Sequence, residues 1–365
     1  MAQIRVEGLR KAFGDFVAVR NSTFTIENGT FFVMLGPSGC GKTTTLRMIA
    51  GLELPSEGRI LLDGEDVTFQ RAARRDIAFV FQLLALYPHM NAEANISFPL
   101  VCQGASRAEV RRQVRETARL LRIEPLLKRK VSTLSGGDRQ RVALGRAIVR
   151  RPKAFMMDEP LGALDAELRE DMSEELRDLH DRIGATTVYV THDQTEAMAM
   201  ADRIAVMNHG VVEQIGKPQE IYDLPATMFV ADFVGSPSMN FIRFEGRLKP
   251  SDRSVRLGEI NVPIPEACEP AASDSLVLGV RPEHVFIADS ALIRARVFGA
   301  EYLGTTQIVT LDIAQGQIKA RLPSLQRVQV GETVGLAFKS DSLMLFDGTS
   351  GHALRSALHR GERHV

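Results

Sequence analysis

Apolar residues in the first two thirds of the chain fall into short solid runs, separated by stretches with helical spacing. Phe31–Leu35, Ala154–Met157 and Thr187–Val190 are such runs, and they predict strands buried on both faces. Helical patterns over Lys42–Gly51, Asp165–Ile183 and Gln194–Ala201 lie after or between them. The alternation predicts an α/β domain with a largely parallel, covered sheet. Ahead of it, Val6, Phe16–Val19 and Phe24–Ile26 predict short antiparallel strands. Arg107–Arg122 predicts a charged amphipathic helix whose inner face carries Val110, Val114, Ala118 and Leu121.

The pattern changes at Gly235-Ser236-Pro237-Ser238. Beyond that point helical spacing largely stops. Short alternating runs take over at Leu276–Val280, Ile293–Val297, Gln307–Leu311, Ile318–Leu322 and Thr333–Phe338, punctuated by Gly and Pro. These predict a small all-β barrel or sandwich of OB-like character. The expected division is an α/β domain over 1–235 and a β-rich domain over 236–365. The polar stretch Thr349–Val365 predicts a partly disordered end.

Composition narrows the function classes. A length of 365 residues suits two domains, and a hydrophobic fraction of 44% is enough for sizeable cores. Lys+Arg 45 against Asp+Glu 45 gives formal net charge +0, without the basic excess of a general nucleic-acid binder. Cys40, Cys102 and Cys268 are far apart, show no disulfide or zinc spacing, and predict a reducing compartment. The charged, alternating start Met1–Leu9 does not read as a signal peptide. No apolar run approaches the roughly 18 residues of a membrane span, so work at a membrane would go through partners.

The chemistry begins at Gly36-Pro37-Ser38-Gly39-Cys40-Gly41-Lys42-Thr43, which fits G-x-x-x-x-G-K-[ST] between an apolar strand and a helix. Glycines let successive backbone N–H groups face phosphate oxygens, and the helix N-terminus adds a positive dipole. Lys42 offers a full charge to β- and γ-phosphates, and Thr43 offers a hydroxyl to Mg²⁺. Cys40 reads as a small spacer. The run Ala154–Met157 ends in Asp158-Glu159. Adjacent strand residues point opposite ways, so the two carboxylates divide the work. Asp158 faces the metal, and Glu159 polarises an attacking water. A third element, Leu134-Ser135-Gly136-Gly137-Asp138-Arg139-Gln140-Arg141, opens a further helix with Ser and two glycines. Two anion sites in one domain make sense when two copies pack head to tail.

That third element resembles the signature of ABC ATPases, and over residues 1 to about 235 the motifs follow that family's order. The resemblance implies a P-loop NTPase fold with a helical subdomain at about 88–150. It implies ATP as ligand, contacted by Gly36, Ser38, Gly39, Cys40, Gly41, Lys42, Thr43 and Thr44. It implies that Gln82 couples the γ-phosphate and Mg²⁺ to the membrane subunit. Asp165, in Leu161-Gly162-Ala163-Leu164-Asp165, matches the loop that crosses the dimer interface. His192 matches the histidine that touches the γ-phosphate, and Phe13 matches the aromatic that stacks on adenine. Ser135, Gly136, Gly137 and Asp138 would close over the partner copy's nucleotide. Catalysis is thereby assigned to Glu159, His192, Gln82 and Lys42, and metal binding to Thr43, Gln82 and Asp158.

Two positions depart from the family pattern. Asp138 stands where glutamine is usual, an awkward charge near phosphates that Arg139 or Arg141 could offset. Leu83-Leu84 follow Gln82 where a polar residue and an aromatic are frequent. Tyr87-Pro88, if exposed, would suit docking to a membrane subunit.

Over nearly its full length the chain resembles the ATPases of bacterial carbohydrate importers of the maltose and glycerol-3-phosphate type. The resemblance outside the ATPase core rests on Gly235–Phe241, Leu278–His284 and Glu301–Gly304. It implies a homodimer, two integral-membrane permease subunits, a periplasmic or extracellular solute-binding protein, and a peripheral place on the cytoplasmic face of the inner membrane. It also implies a regulatory protein at the C-terminal domain and no nucleic acid. Importers of polyamines, iron or sulfate share much of this architecture and stay open as alternatives. A soluble ABC ATPase acting on DNA or ribosomes is the rival from another class. Against it, Thr43–Leu134 holds no sustained heptads, and the chain carries one cassette.

Overall fold

A computed structural model describes residues 2–362 and divides the chain into two compact units, 1–218 and 219–365.

The first unit holds two sheets. The larger has six strands in the order Val211–Gly216, Arg203–Asn208, Phe31–Leu35, Thr186–Thr191, Ala154–Asp158, Ile77–Val80. All neighbours pair in parallel except Val211–Gly216, which runs antiparallel at one edge. Every residue of Phe31–Leu35, Ala154–Asp158 and Thr186–Thr191 is buried, which is why they read as solid apolar runs. The second sheet is antiparallel, in the order Phe16–Ile26, Ile4–Phe13, Glu57–Leu62, Glu65–Asp66. Its buried residues Ile4, Val6, Phe24, Ile26 and Ile60 share one core with Phe32, Met34, Met156 and Val190 of the large sheet. Helix Lys42–Ala50 supplies Leu46, Met48 and Ile49 to the same core.

The short strands expected near the N-terminus are two long ones. Register shifts between Val6 and Leu9, Leu9 and Lys11, and Lys11 and Ala12 interrupt the alternation, so a ten-residue strand reads as fragments. The amphipathic helix forms over Arg107–Leu120, with Ser106 capping and Val114 and Ala118 buried. It packs against both Ala92–Cys102 and Gly136–Ile148.

The second unit is all-β apart from short helices. Its sheets run in the orders Asn240–Glu245, Ser275–Val280, Met344–Asp347 and Val285–Ile287, Thr333–Phe338, Ile293–Tyr302, Thr306–Ile313, Gly316–Pro323, with a hairpin of Ser254–Leu257 and Ile260–Pro263. All pairings are antiparallel. Leu278, Val297, Val309, Leu322, Leu336 and Leu345 meet in one core.

The composition break at 235 lies inside this unit rather than at its start. Arg281, 3% exposed, explains why. Its guanidinium donates to the carbonyls of Tyr222 at 2.7 Å, Ala231 at 3.0 Å and Val234 at 2.5 Å. It also lies 4.1 Å from the Tyr222 ring centroid, and the Tyr222 hydroxyl donates to Glu283 at 2.6 Å. Helices Pro218–Asp223 and Met228–Phe233 are thus tied to the β-strands that follow. Burial and the Glu283 partner push the Tyr222 phenol up to about 12. Arg281→Met leaves three carbonyls without their donor, and we expect it to destabilise this unit by about 3 kcal/mol or more in denaturant unfolding.

The polar C-terminal stretch is tied in as far as it is described. Thr349 and Ser350 donate N–H groups to Asp347, Leu354 is buried, and Ala357–Glu362 is a 3₁₀ segment. Residues 363–365 lie outside the described residues. Among the described residues no helix is long and apolar enough to cross a membrane.

Candidate nucleotide site

The site forms at the C-terminal ends of the parallel strands, where α/β sheets present ligand crevices. Strand Phe31–Leu35 turns through Gly36–Gly41 into helix Lys42–Ala50. Gly41 has φ 103, and a Cβ there would lie 2.4 Å from the Ala18 carbonyl oxygen, so only glycine fits. Gly39, with φ 78, has nothing within 4 Å of a built Cβ, which leaves that side of the loop open to a ligand. Lys42 is 4% exposed and its Nζ donates to the carbonyls of Gly36 at 2.7 Å and Pro37 at 2.9 Å. Cys40 is buried with Sγ 3.9 Å from that Nζ, and burial pushes its thiol up, as befits a spacer. Ser38 and Thr44 flank these residues on the loop and in the first helical turn.

Thr43 Oγ1 donates to Asp158 Oδ1 at 2.7 Å. Asp158 ends its strand 5% exposed; burial raises its carboxyl above the usual range, while Thr43 and Arg47 act the other way. Arg47 Nη2 stands 4.0 Å from Asp158 Oδ2. The chain then turns sharply. Glu159 has φ 44, a left-handed backbone uncommon for a non-glycine residue, and its N–H donates to Val190 at 3.0 Å. This turn, rather than strand alternation, separates the two carboxylates. Glu159 Oε2 accepts from Gln82 Nε2 at 3.3 Å, and Glu159 Oε1 lies 3.2 Å from His192 Nδ1. Two residues expected from distant sequence positions therefore converge on one carboxylate.

The remaining expected residues have other partners. Ser135 Oγ caps helix Gly136–Ile148 by accepting from the Asp138 N–H at 3.2 Å. Asp138 pairs with Arg141 at 3.5 Å, while Arg139 donates to the Leu134 carbonyl instead. Arg141 also binds Glu175 through two contacts of 2.9 and 2.7 Å. A Cβ on Gly136 would come within 3.3 Å of Leu164, and one on Gly137 within 3.2 Å of Leu168. Asp165 caps helix Ala166–Ile183 through the Leu168 N–H at 3.0 Å. Phe13 is 48% exposed, with Lys11 Nζ 4.7 Å from its ring centroid.

Beyond Gln82 the chain stays open. Leu83 is 90% exposed, and Leu84 and Ala85 have φ 58 and 47, with their carbonyls held by Arg146. Tyr87 is half-buried. Asn95 binds its backbone, and its ring packs on Phe98 at 4.7 Å. Pro88 is exposed.

The donor set suits Mg²⁺. Among the described residues no group of three or more His, Cys, Asp or Glu is placed to hold a metal. The hydroxyl and carboxylate oxygens of Thr43 and Asp158 match a hard cation that takes few protein ligands and completes its shell with phosphate and water.

Comparison with known proteins gives the family. The family described as ABC transporter matches residues 19–162, the MalK OB fold domain matches 235–285, and the TOBE domain matches 278–346. The trehalose/maltose import ATP-binding protein MalK of Thermococcus litoralis is 46% identical, covering 97% of this chain and 100% of its own length. The sn-glycerol-3-phosphate import ATP-binding protein UgpC of Salmonella choleraesuis is 44% identical over 96% and 99% respectively. The dimeric structure of MJ0796, a bacterial ABC transporter cassette, is 33% identical with a TM-score of 0.53, and covers 59% of this chain and 98% of that one. The chain belongs to the ATP-binding, ATP-hydrolysing subunits of ABC transporters, in the importer branch that carries OB-fold and TOBE domains.

Proposed function

We propose that this chain powers import of a carbohydrate or glycerol-phosphate-type solute by closing and reopening a head-to-tail ATPase dimer. The observation that carries the reading is the convergence of Gln82 and His192 on Glu159, beside the Thr43–Asp158 pair. Lys42 and the N–H groups of Ser38–Thr44 bind the phosphates, and Phe13 stacks on adenine. Glu159 orients and polarises the attacking water, and His192 contacts the γ-phosphate. Thr43, Gln82 and Asp158 would hold Mg²⁺, which neutralises charge on the β- and γ-phosphate oxygens. Ser135–Asp138 of each copy closes over the other copy's phosphates, and Asp165 lies in the loop between them. The MJ0796 cassette is itself described as dimeric, which supports a dimer of this chain. The solute class is supported by the trehalose/maltose and glycerol-3-phosphate import relatives.

The same reading assigns two permease subunits, a solute-binding protein, a peripheral place on the cytoplasmic membrane face, and a regulator at the β-rich domain. Purifying the tagged chain from gently solubilised membranes tests it. Recovery of two multi-span proteins with a solute receptor is the expected result. Recovery of ribosomal or DNA-bound partners alone overturns the import role.

The Asp138–Arg141 pair makes a separate prediction. If Arg141 offsets the carboxylate, Arg141→Gln lowers ATP hydrolysis about fivefold, and adding Asp138→Gln restores most of it. Equal rates for Arg141→Gln and the native chain count against the compensation.

A further inference from the structure

Loop Leu161–Asp165 and turn His192-Asp193 are joined by one side chain that no motif names. Arg169 lies in the first turn of helix Ala166–Ile183. Its Nη2 donates to the Leu164 carbonyl at 2.8 Å, its Nη1 meets Asp193 Oδ2 at 3.4 Å, and its Nε stands 3.7 Å from Glu196 Oε1. Two of its nitrogens thus bond two different segments, loop 161–165 and the start of helix Gln194–Met200, while Nε lies only within ion-pair distance of Glu196. The planar guanidinium fork can do this, whereas the single point of a lysine cannot.

What Arg169 holds is itself rigid. Glu196, 6% exposed, accepts from Tyr189 and Thr191 hydroxyls at 2.8 Å each. Asp193 Oδ1 accepts from the N–H groups of Thr195 and Glu196, and the Asp193 N–H donates to Thr191 Oγ1. Residues on both sides of His192 are therefore pinned, while the His192 side chain is 56% exposed and reaches Glu159 alone of the site carboxylates. On the other side, the Gly162 N–H donates to the Glu159 carbonyl at 3.2 Å and the Leu164 N–H to Leu161. The contacts form a closed ring: Glu159, loop 161–165, Arg169, Asp193, His192 and back to Glu159.

We propose that Arg169 is a positioning residue that ties loop 161–165 to His192, so that the place of that loop sets how well His192 and Glu159 are aimed. It touches no substrate. Its effect is on alignment, so it belongs to the hydrolytic step rather than to ATP capture. The inference rests on Glu159 and His192 acting as proposed above.

The test is steady-state hydrolysis by the purified full-length chain, with thermal unfolding measured alongside. Arg169→Ala is expected to lower kcat about tenfold with the KM for ATP within about twofold. Arg169→Lys, which keeps the cation and one donor point, is expected to recover part of that loss. Asp193→Asn keeps the helix cap but loses the charge facing Arg169. It should lower kcat alone, and the Arg169→Ala/Asp193→Asn double variant should be no slower than Arg169→Ala, because the two act through one contact. Should Arg169→Ala fail to fold, the Asp193→Asn and Arg169→Lys results decide. A native kcat in the folded variants overturns the inference, as does a loss confined to KM or to thermal stability. Glu159→Gln in the same assay separates the two layers. An active Glu159→Gln overturns the underlying site, whereas an inactive Glu159→Gln beside a native-like Arg169→Ala overturns only the positioning role.

Discussion

Glu159→Gln is expected to bind ATP normally and to hydrolyse it about 10³-fold more slowly. Glutamine keeps the length of the side chain and bears the same left-handed backbone at φ 44, so the turn after Asp158 survives. What it loses is the acceptor capacity of a carboxylate. Glu159 takes a hydrogen bond from Gln82 on one oxygen and faces His192 Nδ1 with the other. An amide can accept on one side only, and carries no charge with which to polarise water. Single-turnover hydrolysis together with equilibrium nucleotide binding checks both halves of the expectation. Turnover within about tenfold of native removes Glu159 from the base role, because general-base assistance contributes at least about 10². Weakened ATP binding at an unchanged rate would point to phosphate contact instead.

Lys42→Ala fails earlier, at binding. Lys42 is buried at the helix N-terminus, with its Nζ held by two carbonyls of the loop that the phosphates would enter. Two charge-assisted bonds to phosphate at about 1.5–3 kcal/mol each imply a loss of about 10²-fold or more in ATP affinity. Lys42→Arg should not rescue it. A compact ammonium fits between the Gly36 and Pro37 carbonyls, whereas the planar guanidinium needs a wider fork. Isothermal titration with ATP is the direct measurement, and native affinity in Lys42→Ala would remove the phosphate-loop assignment.

The two expectations rest on features that were legible for different reasons. The phosphate loop is local: glycines, lysine and threonine lie within eight residues, and strand and helix follow from flanking periodicity. The buried parallel strands were legible because both faces are covered, which turns each into a solid apolar run. Phe16–Ile26 and Ile4–Phe13 look like fragments in sequence because bulges break a period-two pattern without breaking the strand. The edge strand Val211–Gly216 and the strand Glu57–Leu62 are half-exposed and left little periodic trace.

In the site, the Asp138–Arg141 pair could be anticipated because three residues along a helix bring side chains together. The turn at Glu159 could not, since no glycine or asparagine announces that left-handed backbone. Arg169 was invisible for a more general reason. Its partners Leu164, Asp193 and Glu196 are joined by tertiary packing, and spacing along a chain carries no information about which loops meet. Tyr87 shows the converse, because an aromatic beside a proline gave no sign that Asn95 and Phe98 would hold it.

The clamp at Arg281 bears on how such a chain could be divided or exchanged in evolution. Composition changes at 235, yet the carbonyls that Arg281 gathers belong to Tyr222, Ala231 and Val234, upstream of that change. A crossover between relatives at 235 would pair one parent's helix carbonyls with another parent's arginine, and would work only where both kept the same geometry. A crossover near 218 would transfer donor and acceptors together. The arginine and the carbonyls it gathers form one hydrogen-bonded group that starts upstream of the composition change, at Tyr222.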